Sequence, residues 1–201
     1  MNDQGDFLYD SIDPSSTWEA MEKLLATGKV RAIGVCNFTI PRLQALLEKA
    51  KVVPAVNQVE LHPFFQQESL IQWCESKGIK MQAYSPLGNN QFGQPRAIDD
   101  PRVIELAAGL ELTPAQLVYS WGVQRGYCVL GKSVSPERIA SNLRIQTLPE
   151  NAMQALADMD RNTRYNFPVH WGIDIFGEQD KDELQSKAKA CRESNLQKFN
   201  V

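Results

Sequence analysis

Four short segments rich in β-formers alternate with helical segments along this chain, and that alternation limits the fold more than any other feature. They are residues 31–35 (RAIGV), 55–61 (AVNQVEL), 80–85 (KMQAYS) and 127–131 (YCVLG). Each is followed by apolar residues at helical spacing. IPRLQALLEKA follows the first, and residues 66–77, closed by Gly78, follow the second. Residues 101–111 and 113–124 follow the third; SPERIASNLR and PENAMQALADM follow the fourth. Ahead of them, Ser16 and Glu19 form a capping box that opens a helix over WEAMEKLLATGK, stopped by Gly28. Strands alternating with helices at this spacing specify parallel βαβ units. Near-continuous apolar strands imply that both sheet faces are covered. The prediction is one α/β domain with four parallel strands. After Asn162 the pattern dissolves into RYNFPVHWGIDIFGE and then a charged tail over residues 179–201, whose composition suits disorder.

One stretch invites a different reading. GYCVLGKS, starting at Gly126, fits the phosphate-loop pattern G-x-x-x-x-G-K-[ST] letter for letter. A true phosphate loop needs turning, glycine-rich backbone whose N–H groups point at phosphates, with a helix starting at its Lys-Ser/Thr. Here the four intervening residues, Tyr-Cys-Val-Leu, favour an extended strand. Pro136 suits the first turn of a helix that begins a few residues after Lys132. The nucleoside-triphosphatase reading fails, and Lys132 is left at the C-terminal end of a strand, where α/β folds bind ligands.

Composition excludes several function classes. Hydrophobic residues make up 43% and charged residues 22%, as in a folded globular chain, and the net charge of -3 argues against nucleic acid as a main partner. The N-terminus, MNDQGDFLYDSID, is polar and acidic, unlike a secretory signal, and no apolar run reaches the ~20 residues of a membrane span. Two histidines and four cysteines, none paired at ligand spacing, point away from a metal site. The expectation is a cytoplasmic, metal-free protein.

The other strands also end in polar residues. RAIGV runs into Cys36 and Asn37; AVNQVEL carries Asn57, Gln58 and Glu60 inside an apolar segment; KMQAYS ends at Tyr84 and Ser85. Buried amides need partners, and Asn57 taken alone reads as a satisfied core amide. All four ends together suit one ligand. Asn37 and Gln58 each offer a donor and an acceptor, matching a carboxamide. Tyr84 offers an aromatic face. Lys132, Ser133 and Arg138 offer charge and hydroxyl to a phosphate, next to the helix start at Ser135. Carboxamide, stacking face and extra phosphate suggest a nicotinamide dinucleotide.

GKVRAIGVCNF, PAVNQVELHPFF, AYSPLG and GKSVSPERIASN, in this order, resemble the aldo-keto reductases, most of all the fungal polyol and glyceraldehyde reductases. The resemblance runs from about Trp18 to Glu178. It implies a (β/α)8 barrel, of which this chain carries the C-terminal half, and hydride transfer between NADP(H) and an aldehyde or ketone. By that resemblance Asn37 and Gln58 hold the nicotinamide carboxamide and Tyr84 stacks on its ring. Ser85, Leu87 and Asn89 flank the pyrophosphate with Lys132 nearby. Ser133 and Arg138 take the adenosine 2′-phosphate, Asn142 touches adenine, and Trp171 belongs to the substrate rim. Three positions depart from the family pattern: Cys36 replaces a serine that helps bind the carboxamide, Gly131 stands where proline is frequent, and Ser141 replaces a common glutamate.

The family's catalytic Asp, Tyr, Lys and His lie on the first four barrel strands and the segments after them, and no residue here matches them. Val169-His170-Trp171 imitates the histidine motif but falls after the last barrel helix, so no catalytic role is carried onto His170. The expectation is therefore a reductase lacking its catalytic half and inactive alone, its carbonyl or polyol substrate handled only once that half is supplied. The alternative is a non-catalytic cofactor-binding or interaction protein of the same fold. Open strand edges predict self-association.

Overall fold

The computed structural model describes residues 13–90 and 93–199. The polar segment ahead of Asp13, on which the signal-peptide reading rests, lies outside them. The element order is α1 (Pro14–Leu25), β1 (Val35–Cys36), α2 (Ile40–Leu47), β2 (Val56–Glu60), α3 (Glu68–Ser76), β3 (Lys80–Tyr84), α4 (Pro101–Gly109), α5 (Pro114–Gln124), β4 (Cys128–Val129), α6 (Pro136–Asn142), α7 (Glu150–Ala157) and α8 (Lys181–Phe199). Single 3-10 turns stand at Ala97–Asp99 and Val169–Trp171. The four strands are parallel and lie side by side in chain order, as in half of a (β/α)8 barrel.

The strands at the two edges are shorter than their sequences suggest. RAIGV contributes only Val35 to the regular ladder and YCVLG only Cys128 and Val129. Single bonds extend both ladders, Ala55 N–H to the Ile33 carbonyl at 2.8 Å and Leu130 N–H to the Ala83 carbonyl at 3.0 Å. An edge strand has a partner on one side only, so its ends are not held. Gly34 permits the close β1–β2 approach: a Cβ there would sit 2.4 Å from Val56 Cγ1.

The two sheet faces differ, which corrects the expectation that both are covered. Asn57, Val59, Met81 and Ala83 are at most 3% exposed and belong to a face packed by Leu43, Leu70, Cys74, Val103, Leu117 and Trp121. On the opposite face the register aligns Cys36, Gln58, Gln82 and Cys128 in one row. Both cysteines are exposed, both glutamines half-buried, and Gln58 Nε2 donates to Gln82 Oε1 at 2.6 Å. Burying one large apolar side chain contributes ~1.5–3 kcal/mol, while one such hydrogen bond contributes about 1. The helical side holds the sheet together.

Helix starts follow their capping chemistry. Helix α1 begins earlier than its Ser16–Glu19 pattern suggests, because Pro14 suits the first turn and Asp13 accepts from Ser15 N–H at 2.9 Å. Thr113 and Gln116 cap α5 reciprocally. Trp18, Ile33 and Leu46 dock α1, and Trp18 Nε1 donates to the Val52 carbonyl at 3.0 Å. From Lys181 to Phe199 the charged tail is helical, against the expectation of disorder. Asp180 accepts from Asp182 and Glu183 N–H, Lys187 pairs with Glu183, and Leu184 and Ala188 are buried. Two small apolar residues four apart give this polar helix a face to dock.

Candidate functional site: the strand ends

The C-terminal ends of β1, β2 and β3 gather Asn37, Gln58 and Tyr84, all half-buried. Asn37 adopts left-handed backbone (φ 59), a conformation asparagine tolerates. Its N–H bonds the Gln58 carbonyl at 2.8 Å. Its neighbour Phe38 is fixed by Asn57, which donates from Nδ2 to the Phe38 carbonyl at 2.9 Å and accepts the Phe38 N–H at 3.3 Å. Asn57 is thus the satisfied core amide, and Asn37 the one left over. Asn37 Oδ1 is buried without a hydrogen-bond partner. An unsatisfied buried acceptor costs ~1–3 kcal/mol, and the N–H of a carboxamide would satisfy it.

Gln58 is not free as the sequence suggested, because Gln82 holds its amide nitrogen. Gln82 went unnoticed in the sequence, although its place two residues before Tyr84 puts it on the same strand face. Tyr84 lies beside Glu60 in the β2–β3 register. Burial, and then the Glu60 charge, push its hydroxyl well above the usual phenol range. This hydroxyl stays protonated at neutral pH, which suits a stacking face. Asn37 also lines a cavity of about 430 Å³ with Val59, Phe65 and Arg164, but Gln58 and Tyr84 do not.

The turn after β3 starts at Ser85, also left-handed (φ 49), whose carbonyl accepts the Gly88 N–H at 2.9 Å. Leu87 packs against the core and Asn89 is exposed. After β4, helix α6 starts at Pro136 rather than at Lys132, as strand chemistry required. Ser133 Oγ accepts the Ser135 N–H at 3.1 Å, and Ser135 Oγ in turn caps Arg138 N–H. Lys132 and Arg138 are exposed, and neither forms an ion pair among the described residues. Ser133 and Asn142 line a second cavity of about 350 Å³ with Tyr119 and Gly131. A Cβ on Gly131 would lie 3.0 Å from the Tyr119 hydroxyl, so the glycine keeps this cleft open beside the tyrosine. Ser141 donates to the Arg138 carbonyl at 3.2 Å.

Two sets of partners near the strand ends escaped the sequence, although Glu60 itself stood out there. Glu60 is fully buried, lies 2.9 Å from His62 Nε2, and accepts the backbone N–H groups of Tyr165 and Asn166 at 3.0 and 2.9 Å. Burial pushes its carboxyl up, but these bonds outweigh it and hold the group below the usual range. Arg164 forms a two-pronged pair with Glu178 between the rings of Phe65 and Phe176. The sequence signal was a carboxylate and a histidine two residues apart in an apolar run. His170 and Trp171 lie in the turn against α8, their rings edge-to-face at 5.8 Å.

The sequence matches the model of the Aldo/keto reductase family over residues 6–161. It is 44% identical to aldehyde reductase YPR1 of Saccharomyces cerevisiae over 160 residues, which cover 78% of this chain and 50% of that protein. It is 42% identical to a glycerol 2-dehydrogenase (NADP(+)) of Hypocrea jecorina, with 84% of this chain and 55% of that protein covered. Identity to an NADPH-dependent D-xylose reductase of Meyerozyma guilliermondii is 37%, over 82% of this chain and 56% of that protein. The chain spans about half the length of the curated relatives it matches. Among the described residues no helix is long and apolar enough to cross a membrane, and no group of His, Cys, Asp or Glu could hold a metal ion.

Proposed function

The chain belongs to the aldo/keto reductase family, and from that premise we propose that it forms the NADP(H)-binding half of a carbonyl reductase. The observation that carries the reading is the orphaned, buried Asn37 Oδ1. Asn37 and Gln58 orient a carboxamide, and Tyr84, its hydroxyl protonated, offers its ring as a stacking face. Ser85, Leu87 and Asn89 border the pyrophosphate. Lys132, Ser133 and Arg138 meet the 2′-phosphate, and Asn142 meets the adenine. When bound, the nicotinamide supplies the hydride. The substrate is a small aldehyde, ketone or polyol, as the names of the relatives suggest, with Trp171 on its rim. The setting is the cytoplasm.

Holding a dinucleotide does not lower the chemical barrier by itself. A positioned acid contributes about 10²–10⁴-fold to protonating the nascent alkoxide, and no residue of this sequence matches the family's Tyr, Lys or His. The expected outcome is NADPH binding by the chain alone, with no enzymatic turnover of glyceraldehyde. NADPH oxidation followed by absorbance appears only after a separately expressed N-terminal half is added. Failure of the chain to bind NADPH in calorimetry would sink the reading. Turnover by the chain alone near the ~10 s⁻¹ of ordinary enzymes would overturn the division of labour.

A further inference from the structure

The cavity of about 430 Å³ draws its wall from three parts of the chain. Thr39 stands at the start of α2, Ser69 lies in the first turn of α3, and Asp160, Arg164 and Glu178 come from the segment after α7. Val59, from the helix-packed face of the sheet, belongs to the wall, whereas Gln58 and Tyr84 do not. The cavity is therefore distinct from the strand-end cleft. Asn37 is common to both, and the second site is complete without its Oδ1.

Arg164 is the strongest of these groups. Its side chain is only 6% exposed. Its Nε and Nη2 donate to Glu178 at 2.8 and 2.7 Å, and its guanidinium carbon lies 3.5 Å from the Phe176 ring centre and 4.6 Å from that of Phe65. Bonds and rings together fix the group, yet Nη1 is buried with no partner. A fixed, charged donor with nothing to bind is costly, and a ligand oxygen would remove that cost. The helix starts add donors. Thr39 makes no cap bond to α2, and Gln67 gives its amide to the Glu60 carbonyl at 2.7 Å instead of capping α3. First-turn N–H groups are thus left without a capping side chain. Asp160 is the open acceptor: its Oδ1 takes the Asn162 N–H at 2.9 Å, and its Oδ2 takes nothing among the described residues.

The charges of the wall decide against an anion. Arg164 already holds Glu178, and Glu68 at the rim is paired with Arg125, which leaves Asp160 as the uncompensated charge. The occupant must bring acceptors to Arg164 and the helix N–H groups and a donor to Asp160, without a negative charge of its own. Hydroxyl groups do both. The volume falls within the ~300–1,000 Å³ usual for small-molecule sites. We propose that this cavity, between the starts of α2 and α3 and the Arg164–Glu178 pair, binds a neutral polyhydroxy compound the size of a sugar ring or cyclitol. The site is separate from the dinucleotide cleft and does not depend on the function proposed for that cleft.

The test titrates the full chain, labelled with nitrogen-15, with myo-inositol, a neutral cyclic polyol that has no carbonyl to reduce. Saturable shifts are expected at the Thr39, Ser69 and Asn162 amides and at the Arg164 Nε–H. A Kd of about 1 mM suits a ligand of about twelve non-hydrogen atoms. Inositol monophosphate should bind roughly tenfold more weakly, because its charge meets that of Asp160. Arg164→Met should weaken inositol binding about tenfold through the lost charged donor. Ser69→Trp, at an exposed helix start, fills the cavity with Arg164 intact and should abolish binding; it decides if Arg164→Met does not fold. Saturating NADPH should leave the inositol Kd unchanged. Absence of saturable shifts, or parent-like binding by Ser69→Trp, overturns the site. Equal or tighter binding of the monophosphate overturns the neutral ligand class. Displacement of inositol by NADPH puts the polyol in the strand-end cleft and overturns the second site.

Discussion

At the C-terminal ends of β1–β3, the surroundings of Asn37, Gln58 and Tyr84 are fixed by hydrogen bonds: Phe38 by Asn57, Gln58 by Gln82, and the sheet end by Glu60 and His62. At the β4–α6 end, Lys132 and Arg138 stand in solvent without ion pairs among the described residues, next to Val134 and Leu143, each 80% exposed. The first end invests in fixed geometry, so that a neutral carboxamide is recognised by where its donors and acceptors fall. The second relies on charge, which tolerates loose placement because a point charge attracts a phosphate from many directions. The contrast predicts different failures: substitutions at the first end act through folding and orientation, and those at the second act through affinity alone.

The largest expected effect breaks the rigid end. Asn57→Ala removes a fully buried amide with bonds to the Phe38 N–H and carbonyl. Two backbone groups left unsatisfied at ~1–3 kcal/mol each, lessened by any water that enters, put the loss near 3 kcal/mol. Urea unfolding should show a lower midpoint at unchanged slope. A midpoint equal to the parent's would mean that Phe38 is held by packing instead.

Next comes the charged end. Arg138 is exposed, so Arg138→Glu should leave the unfolding free energy from urea within about 0.5 kcal/mol of the parent's. It should remove a charge-assisted contact worth ~1.5–3 kcal/mol. NADPH affinity should fall roughly 30-fold while NADH affinity barely moves, as calorimetry with both cofactors would register. Equal parental affinity for the two would show that these cations do not read the extra phosphate.

How much of this contrast was legible in the sequence differs between the ends. Strands β2 and β3 fall within one or two residues of their sequence limits because each has partners on both sides. The edge strands are shorter, since pattern alone does not say where an unpartnered ladder stops. Asn37, Gln58, Tyr84, Lys132 and Arg138 stand out by residue type at strand ends. Glu60 stands out as polar in an apolar run, but its partners Tyr165 and Asn166 lie 105 and 106 residues away. Short-range periodicity carries no trace of such a contact. The α8 helix was hidden for a related reason: Leu184 and Ala188 are too few to form a pattern until a surface exists for them to meet.

A smaller effect is expected from pH at the rigid end. The folded-state value of Glu60 lies below its ordinary 4.5. Its contribution is therefore fully present above that value and is lost as pH falls through the lower folded-state value. The groups facing it are His62, Tyr84 and Tyr165, and the two tyrosines stay neutral throughout this range. The parent should lose stability in acid more steeply than Glu60→Gln, compared by urea midpoints at matched pH. Parallel pH profiles would show that the carboxylate gains nothing from its charge.

The smallest effect separates the ends by salt. The Debye length shrinks from about 10 Å at 0.1 M to about 3 Å at 1 M, and exposed cations such as Lys132 and Arg138 are the groups most open to screening. Bonds among half-buried neutral amides, such as Gln58 to Gln82, carry no net charge to screen. The preference for NADPH over NADH should therefore narrow by less than about 1 kcal/mol as salt rises across that range, while NADH affinity stays nearly level. The comparison requires a nonbinding salt such as chloride, because phosphate or sulfate would compete directly for the same cations. If both affinities fell together, the screened charges would be acting on the pyrophosphate common to the two cofactors, and Lys132 rather than Arg138 would be the cation to replace next. If neither moved, the 2′-phosphate would have to be held by neutral donors, of which the Ser133 hydroxyl and the Asn142 amide, lining one cavity, are the nearest at hand.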